Sequence, residues 1–166
     1  MSSAKSKTPL LLIFMTVFID LMGFGLVIPI LPTYAQQLHA SDFMVGLLIA
    51  SYSIMQFLFT PFWGRLSDRI GRRPVLLISL AASFVGYLIW GFSTSLIWLF
   101  ASRIVAGFGN ANIAVAQAYI ADITTKENRA RGMGMVGAAF GLGFVLGPAL
   151  GCLLVQYGLG FVGFVA

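Results

Sequence analysis

The eleven residues from Gly64 to Pro74 hold five charges, Arg65, Asp68, Arg69, Arg72 and Arg73, between two long apolar stretches that carry none. Such a segment cannot lie in hydrocarbon. One arginine at the centre of a bilayer costs about 2.5–3.5 kcal/mol on insertion scales, and here there are four. The stretch therefore reads as a turn at a membrane surface, and its flanks as membrane-spanning helices. An excess of Arg and Lys assigns that surface to the cytoplasm. Gly64 and Gly71 relax the backbone where the chain reverses, and Pro74 suits the first turn of the next helix. Orientation explains the arginines but not Asp68, because acids contribute little to it.

The rest of the composition agrees. Hydrophobic residues make up 59% and charged residues 9%, against about 25% charged in a typical globular domain. A soluble domain is excluded. The net charge of +5 does not mark a nucleic-acid surface. Lys5, Lys7, Arg65, Arg69, Arg72, Arg73, Lys126, Arg129 and Arg131 all lie at the N-terminus or in two connectors, and only Arg103 falls inside an apolar segment. No nucleic acid is expected as a partner. The lone cysteine, Cys152, has no disulfide partner and no His/Cys neighbours of a metal site, so neither metal nor cofactor is expected. An enzyme is not expected either: no Gly-x-Ser-x-Gly, His-Glu-x-x-His or paired intramembrane aspartates occur. The lysines ahead of the first apolar run imitate a signal peptide. That run, 9–31, exceeds the ~7–15 residues of a signal core and reads as a retained helix.

Taken in order, a cytoplasmic tail (1–8) precedes an all-α, polytopic membrane bundle over 9–166. Spans are expected at about 9–34, 43–63, 75–92, 96–123 and 132–155, with a sixth starting at about 161. Pro29 and Pro32 should bend or loosen the first span, which membranes tolerate where neighbours or cavity water satisfy the backbone. His39 reads as a solvated loop residue on the outer side.

Within the spans, polar residues fall on stripes. Ser53, Gln56 and Thr60 share a helical face, as do Arg103, Gly107, Asn110, Ala114, Gln117 and Ala121. Lipid would not tolerate these faces. Ser53, Gln56, Asn110 and Gln117 are the cavity-lining candidates. Asp20, about eleven residues into its helix, sits near the bilayer middle at ~1.5 Å per residue; it is either a titrating carboxylate or one fixed by helix–helix hydrogen bonds. Arg103 either acts on a nearby carboxylate or an anionic substrate group, or snorkels to the outer interface. Asp122, at a helix C-terminus, opposes the macrodipole and should have an arginine partner from the Asp68–Arg73 segment. Gly137 and Gly141, with the series Gly143, Gly147 and Gly151, predict close helix packing, and Pro148 a bend.

The pattern of Gly64, Asp68, Arg69, Gly71, Arg72 and Arg73 resembles the cytoplasmic loop signature of the major facilitator superfamily, which joins its second and third helices. Phe18-Ile19-Asp20 with Gly23 and Gly25-Leu26-Val27-Ile28-Pro29 resembles the first helix of drug:proton antiporters in that superfamily. Arg103 to Gly107 resembles their fourth-helix arginine motif. Gly143, Gly147, Pro148 and Gly151 resemble the antiporter motif of the fifth helix, with Cys152 where a glycine is common. The stretch from Arg103 to Arg131, including Ala118 to Thr124, is most similar to tetracycline efflux pumps, although those carry an acid in the third helix where this chain has Gly86.

The resemblance implies the N-terminal six-helix half of a proton-coupled exporter of small amphiphilic molecules, working by alternating access in a plasma (bacterial inner) membrane with a cytoplasmic N-terminus. Its implied partners are the lipid bilayer, a small-molecule substrate, protons and a C-terminal half. It implies proton coupling at Asp20 and Arg103, and a cytoplasmic gate of Asp68, Asp122 and the arginines. A metabolite symporter of the same fold and a non-transporting membrane scaffold subunit are the alternatives.

Overall fold

The computed structural model describes residues 7–110 and 112–166; Lys5 and most of the expected N-terminal tail lie outside them. The described residues are helical almost throughout. Helix α1 covers Lys7–Gln37, α2 Asp42–Ile70, α3 Arg72–Gly91, α4 Leu96–Gly109, α5 Asn112–Ile123, α6 Lys126–Leu154 and α7 Leu159–Val165. Five segments are long and apolar enough to cross a membrane: 11–37, 42–70, 72–91, 96–123 (α4 with α5) and 126–157.

Local chemistry sets the ends. Ser41 caps α2, its Oγ accepting from the Met44 amide at 3.4 Å, and Asp42 in the first turn complements the helix dipole. Thr125 is the N-cap of α6, and its carbonyl accepts from the Arg129 amide at 2.9 Å. α1 continues through Pro29 and Pro32 without a break in its assignment.

Several expected boundaries move. The charged stretch is not a loop: α2 continues through Arg65, Asp68 and Arg69 to Ile70, Gly71 alone stands outside a helix, and α3 begins at Arg72. Arginine is a good helix former. Ser67 Oγ bonds back to the Gly64 carbonyl at 2.7 Å, and Arg69 sits where the dipole favours a cation. Gly71 makes the turn at φ 96°, a conformation costly to any residue with a β-carbon. Nothing crowds it, the nearest atom to a built Cβ being 3.7 Å away, so conformation rather than space requires glycine. In the same way α6 starts at Lys126 rather than near 132, and α7 at Leu159 rather than 161. The fourth span is carried by two helices, with Asn110 as the C-cap of α4.

α6 lies along α1, while α4 packs between α2 and α3, and α7 returns onto α3. The α1–α6 seam rests on glycine. A β-carbon on Gly143 would stand 2.9 Å from Leu21 Cβ, and one on Gly151 3.0 Å from the Leu26 carbonyl oxygen. Gly137 and Gly141 take no part in it, for a built β-carbon at either meets nothing within 4 Å. Their expected role in helix packing is not found among the described residues.

The core divides into two apolar clusters. One gathers Leu26, Leu31, Tyr34, Leu48, Trp90 and Leu99 toward the C-terminal ends of α1 and α3; the other gathers Ile13, Val17, Trp63, Val75, Val115 and Val136 toward the α2–α3 turn. Buried polar side chains fall largely between them: Asp20, Ser79, Ser83, Ser102, Arg103 and Asn110.

Candidate functional site

At the α2–α3 turn, Arg72 ties three helices together. Its Nη2 lies 2.7 Å from Asp68 Oδ1, four residues earlier, and its Nε donates to Asp122 Oδ2 at 3.0 Å, at the end of α5. Nη1 donates to Ser67 Oγ. The partner expected for Asp122 is thus one specific arginine. Arg73 turns elsewhere, donating to the Tyr119 hydroxyl at 2.8 Å with its guanidinium 5.9 Å from the ring centre. Arg129 of α6 donates to the Ala121 carbonyl at 3.1 Å and satisfies the end of α5. Arg65 and Arg69 are exposed and make no ion pair among the described residues. Gly64 has open space about it.

In the polar layer, Asp20 is 4% and Arg103 2% exposed. The snorkelling alternative for Arg103 is overturned. Its guanidinium lies 4.9 Å from the Trp90 ring centre, inside the bundle, with Nε 3.5 Å from Ser102 Oγ. Stacking on an indole face offsets part of the cost of burying the cation. Two tyrosines absent from the sequence-based candidates, Tyr52 and Tyr87, stand within electrostatic range of both Asp20 and Arg103. Tyrosine periodicity alone does not separate them from core aromatics; only their nearness to the two charges does.

The four cavity candidates meet. Ser53, Gln56, Asn110 and Gln117, with Thr60, Ala114 and others, line one cavity of about 470 Å³ between α2 and α5. Gln56 Nε2 donates to Asn110 Oδ1 at 3.1 Å, and Asn110 Nδ2 donates to the Tyr52 hydroxyl. Helix ends leave carbonyls without intrahelical partners. Two in the last turn of α4 are held by neighbours: Trp63 Nε1 donates to the Phe108 carbonyl at 2.6 Å, and Ser79 Oγ to that of Gly109. Trp63 and Ser79 thus position the cavity wall, and neither stood out in the sequence.

Comparison with known proteins decides what this assembly belongs to. Residues 13–166 match the Major Facilitator Superfamily profile. The chain belongs to the major facilitator superfamily. It is 49% identical, over 90% of its length, to the tetracycline resistance protein, class C, of Escherichia coli, of which it covers 39%. It is 35% identical over 93% of its length to multidrug resistance protein 2 of Bacillus subtilis, again covering 39% of that protein. A third relative is major facilitator superfamily domain-containing protein 10 of Bos taurus, 33% identical over 86% of the chain. The chain spans about two fifths of the length of these relatives.

Within this superfamily member, Gly86 departs from the acid expected of tetracycline pumps, and packing gives a reason. A β-carbon there would lie 2.9 Å from Ala106 Cβ and 3.1 Å from the Ala106 amide nitrogen. α3 and α4 meet too closely at this point for a carboxylate side chain. Gly143, Gly147 and Gly151 are buried against α1, with Pro148 beside them, its Cδ 3.4 Å from a β-carbon built on Gly25.

Proposed function

We propose that the chain is the N-terminal half of a proton-coupled exporter of small amphiphilic molecules, with its N-terminus and α2–α3 turn in the cytoplasm of a bacterial cell. The observation that carries this reading is the burial of Asp20 and Arg103 inside the bundle, together with a cavity lined by Ser53, Gln56, Asn110 and Gln117. Intramembrane ionisable residues are costly and, as a rule, functional. Asp20 takes up a proton when the cavity opens outward and releases it when the cavity opens inward.

The Arg72 network then acts as a gate. Linking α2, α3 and α5, it closes the cytoplasmic side in the outward-facing state and parts when the half tilts against its C-terminal counterpart. Relatives named for tetracycline and multidrug resistance support export as the direction. The glycine at position 86 favours organic amphiphiles over a cationic metal chelate. The test is export by the complete protein, reconstituted in proteoliposomes, under an imposed pH gradient. Export that ignores the gradient would refute proton coupling.

A further inference from the structure

Arg103 borders a smaller space, separate from the α2–α5 cavity. A recess of about 80 Å³ is walled by Phe24, Leu31, Ile49, Tyr52 and Ser53, with Arg103 as its one charged lining residue. Ser53 lines the large α2–α5 cavity as well, so the recess adjoins that cavity along α2. The guanidinium Nη2 is buried and has no hydrogen-bond partner in the protein. Trp90 covers one face, and the contact of Nε with Ser102 is long, at 3.5 Å. A buried cation with an unused donor is expensive unless something accepts from it. Guanidinium groups are best satisfied by flat oxyanions. The walls around it are aromatic and aliphatic.

We propose that the recess is a subsite for an ionised oxygen, a carboxylate or enolate, on an aromatic or aliphatic substrate whose body occupies the adjoining cavity beside Gln56, Asn110 and Gln117. This deepens the exporter reading and rests on it for the substrate's place in the cycle. The recess admits only the charged end of such a molecule; the 470 Å³ cavity receives the remainder. Orientation follows from chemistry. The amide groups of Gln56 and Gln117 serve neutral donors and acceptors on the body, and Arg103 takes the one full charge.

The probes are naphthalene-2-carboxylate and its neutral isostere naphthalene-2-carboxamide. Binding to the purified complete protein is measured by equilibrium dialysis, in chloride-free buffer and without a pH gradient, so a failure of proton coupling leaves the reading untouched. The carboxylate should bind about tenfold or more tighter than the amide, the worth of one charge-assisted hydrogen bond. Arg103→Gln should abolish that preference, and Arg103→Lys should keep part of it. Should Arg103→Gln fail to fold, Ser53→Asp, at an exposed wall shared by both spaces, should remove the preference by repulsion. Equal affinities in the parent protein, no binding of either probe, or a preference that survives Arg103→Gln or Ser53→Asp would overturn the proposal.

Discussion

Gly147 of α6 faces Gly25 of α1 so closely that a β-carbon built on it would lie 2.8 Å from the Gly25 Cα. Backbone meets backbone there, with no side-chain end to move aside. Gly147→Ala should therefore part the two helices and lower stability by about 1–3 kcal/mol, the usual range for overpacking. Gly137→Ala, with open space around it, should be neutral or raise stability by up to about 1 kcal/mol through helix propensity. Thermal unfolding in detergent checks both, and equal effects at the two positions would contradict this packing.

The Arg72 network predicts a separation of stability from function. Asp68 and Asp122 are 63% and 54% exposed, so each pair contributes no more than about 1 kcal/mol. Asp68→Asn and Asp122→Asn should insert and unfold nearly as the parent does while transport by the complete protein falls. Full transport in either variant would reduce the turn to an orientation signal.

Much of this was legible beforehand, and the failures have physical causes. The apolar spans and the polar stripes follow from membrane energetics, and the need of Asp122 for an arginine from the helix dipole, both of which act locally. The helical state of Gly64–Ile70 was hidden because hydropathy marks where a chain leaves hydrocarbon, not where its helix ends. Gly137 and Gly143 look alike in sequence; only the position of α1 separates them. The inward turn of Arg103 depends on Trp90, on another helix, and Trp63 and Ser79 depend on where α4 ends.

Position 86 gives a test of that tertiary constraint. Gly86→Asp should destabilise the protein by about 1–3 kcal/mol through collision with Ala106, and Ala106→Gly should recover part of the loss. A double-mutant cycle on unfolding midpoints reads the coupling. Additive effects would mean the two residues do not share the space.

Orientation is open to labelling. In a Cys152→Ser background, since Cys152 is exposed, cysteines at the exposed positions Ile70 and Lys126 should react only from the cytoplasm, and one at Gln37 from outside. Reaction of Ile70→Cys with an impermeant reagent in intact cells would invert the topology.

Proton coupling at Asp20 is the central claim, and one substitution addresses it. Asp20→Asn keeps the size and hydrogen-bonding capacity of the side chain but removes its titration. Gradient-driven export and gradient-free substrate exchange are measured on the same proteoliposomes containing the complete protein. The account predicts that Asp20→Asn loses export driven by the pH gradient and retains exchange. Gradient-driven export at the parent rate would contradict it, and Asp20 would then be a structural carboxylate of the polar layer.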